Sequence, residues 1–553
     1  MLKKTKARGI AFLLCLSFLI GLTGCGLLRI PKTSLPGSDP DPDRNTPESI
    51  RHFNISLGDR ARDSFDRDAF DGACDELDSL LKSEGNAERI FELYETIKKL
   101  LLDSKTDASL ALYDYNTDIA NAEKAERYAS KQNEYSKIYG KSVGLLRSVF
   151  LTDYADAFRL YVGDGLADKL EKASTVSAEE SAIKTKIRGL EKKYDTLMAQ
   201  GADAAAYKEL YIEIVNANNA YARLRGYSGY ADYAYSKARG RDYTIEDLRG
   251  IENEVINSFI PVFRAYVAAA TKDAVYDAYK ENHDSGETKL TRLKNCVKNI
   301  SPRLEESLDH LIRNRLYDMD FSDTKGQADY TVTLPTYNDA FIFINPQGKV
   351  SDYKTVLHEF GHFSAHYYRP CDAFDPNLVM DVEEIMSQGL QLLCYDYYGA
   401  YYEEYGAALT QSTVFQIMQA VPKGFAVNEA EYLSYTAADL TVEELDAIWA
   451  EANRKYGKPL GKTEDAWTAI PHVFQNPFYY IGYATSSLAA FELFAESRED
   501  FRGSVDKYLT ITQLPAGTGL LEALKRAELN SFFEEGRITA LSKGLSAALK
   551  IRK

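Results

Sequence analysis

His358-Glu359-Phe360-Gly361-His362 sets two imidazoles four residues apart, a spacing that on a helix puts both on one face, where they can grip a single Zn²⁺ ion. The glutamate between them stands where a general base would act on the metal's water. Around the motif Val356, Leu357, Phe360, Phe363 and Ala365 fall at helical spacing, and Asp352 stands near the start, where an acidic side chain caps well. The chain has 7 histidines, and three of them (His358, His362 and His366) fall in this short stretch. That clustering points to a site rather than to a solvated helix with idle histidines.

The third ligand decides which kind of zinc site this is. The long metzincin motif needs a glycine and a further histidine where this chain has Ala365 and Tyr368, so that class is excluded. His366 continues the stripe, but it stands about 12 Å along the axis from His358, too far for both to reach a metal with bonds of about 2 Å. It reads as a neighbour and not a ligand. What remains is two histidines plus a carboxylate from a second helix, with water in the fourth position. Pro370 and Pro376 bracket a short loop, and Asp375-Pro376 reads as an N-cap followed by a first-turn proline. From there Leu378, Val382, Ile385, Gly389 and Leu393 run at helical spacing. In an antiparallel hairpin, depth counted from the loop puts Glu384 about 12 Å in, between His362 at about 9 Å and His358 at about 15 Å. Glu383 matches almost as well, and depth leaves the two open.

The zinc motif, followed by Asp381-Val382-Glu383-Glu384-Ile385-Met386-Ser387-Gln388, resembles the zinc signature of the oligoendopeptidase F and thimet oligopeptidase family. There the ligand is the glutamate of a Glu-x-x-Ser-Gln-like segment, which implies Glu384. Arg225-Gly226-Tyr227-Ser228-Gly229-Tyr230-Ala231-Asp232-Tyr233 and Arg241-Asp242-Tyr243-Thr244 resemble the family's helical midsection, and Asp339-Ala340-Phe341-Ile342-Phe343-Ile344-Asn345 its strand before the zinc helix. Pro471-His472 with Phe478-Tyr479-Tyr480-Ile481-Gly482-Tyr483-Ala484-Thr485 is similar to its His-and-Tyr segment. That likeness implies His472 and Tyr483, with Tyr479 the weaker match, as donors to the developing oxyanion, and Gly482 as a point about which the segment could move over substrate. Met386 departs from the pattern, standing where the family has proline. The resemblance implies a deep cleft restricted to short peptides.

The N-terminus gives an address. Lys3, Lys4, Lys6 and Arg8 precede an apolar run from Ile10 to Leu22 and then Thr23-Gly24-Cys25. A basic start, a short apolar segment and small residues describe a secretory signal, since crossing a membrane takes about 20 apolar residues. The cysteine resembles a bacterial lipobox, implying removal of residues 1–24 and lipid on Cys25, which would hold the protein at a membrane surface without spanning it. Residues 25–50 hold Pro31, Pro36, Pro40, Pro42 and Pro47 among Asp, Ser and Gly, a composition that stays extended as a tether. A helical region over 51–220 and a zinc metallopeptidase region over 221–553 complete the chain.

Helical stripes recur, as at Phe91, Leu93, Ile97, Leu100 and Leu101, and at Ile251, Val255, Phe259 and Val262. The fold expected is mainly α and two-lobed, with a small β element over Thr331-Val332-Thr333-Leu334 and Phe341-Ile342-Phe343-Ile344 and a turn at Asn345-Pro346-Gln347-Gly348. An exposed edge on the strand before the zinc helix would take an extended peptide by strand addition, the alternative being a packed hairpin. A net charge of −16 argues against nucleic-acid binding. Cys74, Cys296, Cys371 and Cys394 read as buried thiols, with Cys371 and Cys394 the pair open to bridging. The tyrosine run from Tyr395 to Tyr405 reads as helix packing.

Together these residues describe a zinc metalloendopeptidase of oligopeptidase type, with one ion held by His358, His362 and Glu384 and with Glu359 as base. It would act on short peptides at the outer face of a bacterial membrane. The alternative is a surface lipoprotein that binds peptide or metal without hydrolysis. Glu359 favours the enzyme, because a binder needs no base there. Oligomeric state does not follow from these residues.

Overall fold

Short polar side chains open many of the helices by taking up the N–H groups that a first turn leaves without partners. In the computed structural model, which describes residues 52–82, 86–171, 177–269, 277–369, 371–374 and 379–551, Asp66, Asn86, Asn121, Ser177 and Asp203 each cap a helix in this way. Thr244 and Asp247 form a reciprocal capping box. The described residues are mainly α-helical with one small sheet, as expected. The signal, Cys25 and the tether lie outside the described residues, as does Asp375-Pro376. No helix among the described residues is long and apolar enough to cross a membrane.

Apolar side chains gather into two cores. The smaller is built from helices between Arg67 and Glu171, with Phe70, Ile97, Leu101, Ile138 and Phe158 inside. Phe374, from the loop after the His-Glu helix, joins it and stacks on Tyr94 at 5.9 Å. The larger core holds the sheet, the hairpin of His358, His362 and Glu384, and most of the C-terminal helices. The boundary drawn at 220 falls inside the helix Ala204–Leu224, whose Leu210, Tyr211 and Ile214 belong to this larger core. Tyr398 and Tyr402 are buried in it as well, in keeping with a packing role for the tyrosine run.

Three strands form the sheet, in the order β1 (Tyr317–Asp318), β3 (Asp339–Phe343), β2 (Tyr330–Leu334). β1 runs parallel to β3, and β2 runs antiparallel to it with Tyr330 opposite Phe343 and Leu334 opposite Asp339. The strand just before the His-Glu helix is therefore central, paired on both edges. Its Ile342 and Ile344 N–H groups reach Leu316 and Asp318 carbonyls at 2.9 Å on the β1 side, so its odd-numbered residues bond β2. By the same alternation, the backbone of Thr331 and Thr333 in β2 points outward. The outer edge belongs to β2, a correction that a two-residue β1 hid from sequence. Thr333 is fully buried, because the helix Ala87–Asn116 lies close by: its Asp103 and Thr106 bond Thr336 at 2.8 and 2.9 Å.

The hairpin itself consists of the helices Asp352–Tyr367 and Met380–Leu393. Neither has a side-chain N-cap. Asp352 turns back instead, its carboxylate accepting from Gln347 and Lys349 N–H at 3.1 Å and fixing the loop that leads in. Asp381, in the first turn of the second helix, is directed at Arg241. The helix Ile481–Ser497 packs against the second helix and closes the hairpin's far side.

Candidate metal centre

One helical turn brings His358 and His362 onto one face of the Asp352–Tyr367 helix, and the second helix sets Glu384 between them. Glu384 Oε2 lies 3.6 Å from His358 Nε2, and Oε1 lies 3.9 Å from His362 Nε2. One ligand atom from each of the three lies within 4.8 Å of the others. Tetrahedral zinc with bonds of about 2.0–2.1 Å needs its ligands about 3.3 Å apart, so the group fits after a small inward adjustment. Glu383 faces away, toward His366, at 3.9 Å. The two adjacent carboxylates that depth left open thus have different partners, and His366 stands outside the group.

Close approach of the two helices depends on Gly361. A Cβ there would lie 2.6 Å from Ser387 Cα and 2.7 Å from Met386 O, inside contact distance. Its place between the two histidines lets the second backbone come near enough for Glu384 to reach them. Gln391, two turns beyond Glu384 on the same face, accepts at 3.2 Å from His358 Nδ1 and donates to Lys354 O at 3.3 Å. A proton held on Nδ1 leaves the Nε2 lone pair toward Glu384.

Burial sets the charge states. It lowers His358 to about 4. Burial, with His358 next, holds His362 well below the ordinary imidazole range. Both rings are therefore neutral and able to donate a lone pair. Burial pushes Glu384 up to about 7, and burial followed by Glu384 does the same to Glu383. Glu359 is raised well above its ordinary value, again first by burial. The Glu384 carboxyl beside two neutral imidazoles, in a desolvated pocket, forms a donor set that a divalent cation would balance.

Glu359 is held from the sheet. Thr331 Oγ1 in β2 lies 2.8 Å from Glu359 Oε2 and 2.9 Å from its carbonyl. Sequence reasoning missed Thr331, as it missed Gln391. Only the latter had a signal, the seven-residue step from Glu384.

His472, Tyr479 and Tyr483 come together as well. The His472 ring stacks on Tyr479 at 5.5 Å and meets Tyr483 edge-on at 6.1 Å. Burial, then Lys423, lowers His472 to about 3, so its ring is neutral. Burial and then the charges of Glu384 and Glu383 push the Tyr479 phenol well up, which ties it electrostatically to the candidate ligands. Gly482 is not a pivot. It lies in the helix Ile481–Ser497, buried against the Met380 sulfur, and a side chain there would collide with it. Cys371 and Cys394 are not bridged; Cys394 lies against Cys296 instead.

A second group, His52, His310 and Asp339, has metal-like spacing. Its Asp339 and His310 are already partnered. Asp339 pairs with Arg60 at 2.6 Å and with His310 Nε2 at 2.8 Å, while Asn314 donates to His310 Nδ1 at 3.1 Å. With Nδ1 accepting, the proton sits on Nε2 and no lone pair faces Asp339.

Residues 297–524 match Peptidase family M3, in line with the resemblance of the zinc signature. Oligopeptidase PepF of Bacillus subtilis (strain 168) is 25% identical over 344 residues, covering 57% of this chain and 49% of that protein. The oligoendopeptidase F homolog of Lactococcus lactis subsp. lactis (strain IL1403) is 23% identical over 411 residues, covering 63% of this chain and 66% of that protein. The matched stretch thus spans about half of one relative's length and just under two thirds of the other's. The solved structure of PZ peptidase A with an inhibitor shares the fold, with a TM-score of 0.73 at 19% identity over 90% of this chain and 99% of that one.

Proposed function

We propose that this chain is a zinc-dependent oligopeptidase that hydrolyses peptide bonds in short peptides, with His358, His362 and Glu384 holding one ion. The observation that carries the proposal is the placement of Glu384 within 3.6 and 3.9 Å of the two histidine Nε2 atoms, with Glu359 one residue along the same helix. A bound Zn²⁺ would supply a Lewis acid that acidifies water and polarises the scissile carbonyl. The chain's own residues do the rest. Glu359 accepts a proton from water at Oε and returns it to the leaving amine, while Thr331 keeps the carboxyl aimed. The outward backbone of β2 at Thr331 lays an extended peptide beside the helix by strand addition. Tyr479, Tyr483 and His472 stand ready to donate to charge growing on the carbonyl oxygen. The pocket is closed in: the His358, His362 and Glu384 side chains are only 16%, 11% and 8% exposed, which supports short substrates over folded ones.

Incubating the mature chain with a mixed peptide library, with and without a chelator, tests this by mass spectrometry. Chelator-sensitive products from short peptides are expected. Their absence at every length would favour a non-hydrolytic binder.

We also propose that the enzyme works outside the cell, held to the membrane by lipid on Cys25. The basic and apolar N-terminal run ending in Thr23-Gly24-Cys25 supports this. Cys25→Ser should move the protein from the membrane fraction to the soluble one; unchanged partitioning would require another anchor.

A further inference from the structure

Phe478 is fully buried yet holds φ at +60°, the left-handed region that an aromatic residue rarely adopts. It is the third residue of a turn closed by Tyr479 N–H on Asn476 O at 3.0 Å, with Pro477 before it, a place where glycine or asparagine is usual. Strain of this kind persists only where the surroundings over-determine it. Here they do. The ring packs among Tyr230, Tyr235 and Tyr435, the N–H donates to Glu431 Oε2 at 3.0 Å, and the carbonyl accepts from Arg241 Nη1 at 2.8 Å. The preceding Pro477 carbonyl accepts from Arg239 Nη2 at 2.8 Å.

Arg241 does more than hold this turn. Its Nε donates to Asp381 at 3.1 Å, and that carboxylate also accepts from Thr485 Oγ1 at 2.7 Å and from the Tyr243 hydroxyl. Asp381 lies three residues before Glu384 on the same helix, and Phe478 immediately precedes Tyr479. One buried guanidinium therefore spans from the helix that carries Glu384 to the backbone that carries Tyr479.

We propose that Arg241 is a positioning residue. By bridging Asp381 to the Phe478 carbonyl, it fixes where the Tyr479 hydroxyl stands relative to Glu384. The proposal rests on the peptidase reading for its catalytic consequence, and on the hydrogen bonds alone for its structural one. A lysine can keep the charge pair with Asp381, but a single ammonium lacks the fork that serves carboxylate and carbonyl together.

The test compares Arg241→Lys, Tyr479→Phe and the double variant in the full mature chain. Metal content and KM should stay near those of the unaltered chain, while kcat falls between about 10-fold and 100-fold in Arg241→Lys. Tyr479→Phe should then cost less than about threefold more in that background, because the hydroxyl it removes is already misplaced. Hydrogen exchange of the 476–483 peptide should quicken in Arg241→Lys while the His358–His362 helix stays protected. Unchanged exchange in 476–483 overturns the clamp whether or not the chain cleaves peptides. Faster exchange with full kcat overturns the positioning role. If the unaltered chain shows no chelator-sensitive cleavage, it is the peptidase reading that fails, and exchange still decides the clamp. If Arg241→Lys does not fold, Asp381→Asn weakens the same bridge from its other end and is read in the same two ways.

Discussion

Gly361 and Ser387 meet backbone to backbone in the hairpin that carries the candidate ligands: a Cβ on Gly361 would stand 2.6 Å from the Ser387 Cα. Glu384 is one helical turn from that meeting point, so helix separation and ligand reach are the same quantity here. Gly361→Ala should push the helices apart, destabilise the fold by about 1–3 kcal/mol, and weaken metal binding by about 10-fold to 100-fold. Thermal melts with and without chelator, together with metal content after dialysis, measure both effects. Unaltered metal retention would mean that the second helix can shift without moving Glu384.

Ligand choice depends on which carboxylate faces which histidine. Glu384 lies between His358 and His362, whereas Glu383 meets His366. Glu384→Ala should leave the purified chain without stoichiometric metal, and Glu383→Ala should keep it. Elemental analysis of the two variants checks this, and the opposite result would exchange their roles.

Glu359 offers a cleaner separation of binding from chemistry. Glu359→Gln preserves shape and can still accept from Thr331, but its amide cannot take up a proton. Metal content should be unchanged while kcat falls by about 10²–10⁴. Substantial turnover in this variant would remove Glu359 as base.

Much of this site was legible because helical periodicity converts residue spacing into direction. His358, Glu359 and His362 needed only the four-residue step, and counting depth from a loop brought Glu383 and Glu384 to the right level. Which of those two turns inward required the family resemblance, then the structure, because helix phase is set by packing partners such as Ile481–Ser497 far along the chain. The contacts that sequence could not supply are long-range ones. Thr331 holds Glu359 from 28 residues away, and Arg241 reaches Asp381 across 140. The free strand edge was misplaced for a related reason. β1 is two residues long, too short for any alternation to show, yet it is what makes β3 central. Gly482 misled in a different way, since glycine in a helix that packs tightly and glycine at a pivot look alike in sequence.

Glu431 gives the fold a pH dependence whose sign can be worked out. Burial pushes its carboxyl up to about 8, although the Phe478 N–H bond opposes this. An unfolded glutamate ionises near about 4.3, so between roughly pH 4.5 and 8 the folded chain retains a proton that the unfolded chain has released. The contribution is fully present below that window and is lost as pH rises through it. Glu431→Gln keeps an oxygen for Phe478 N–H but cannot ionise. Its Tm should therefore fall less steeply than that of the unaltered chain between about pH 5 and 8. Parallel Tm-against-pH curves would show that Glu431 titrates normally.

Two tyrosines compete for the role of donor to the growing oxyanion, and their surroundings separate them. Tyr479 follows the strained turn at Phe478, stacks on His472 and is coupled to the charges of Glu384 and Glu383. Tyr483 sits in the first turn of the helix Ile481–Ser497 and meets both His472 and Tyr479 edge-on, at 6.1 and 5.8 Å. A hydroxyl that bonds only the transition state lowers kcat by about 10²–10³ when deleted and leaves KM nearly unchanged, whereas one that only packs changes Tm and little else. Replacing each by phenylalanine removes the hydroxyl and keeps the ring. Tyr479→Phe should show the large kcat loss, and Tyr483→Phe a loss at least as large if it is the principal donor. Equal, modest losses of about threefold or less in both, accompanied by lower Tm, would mean that the pair packs His472 and that the donor lies elsewhere.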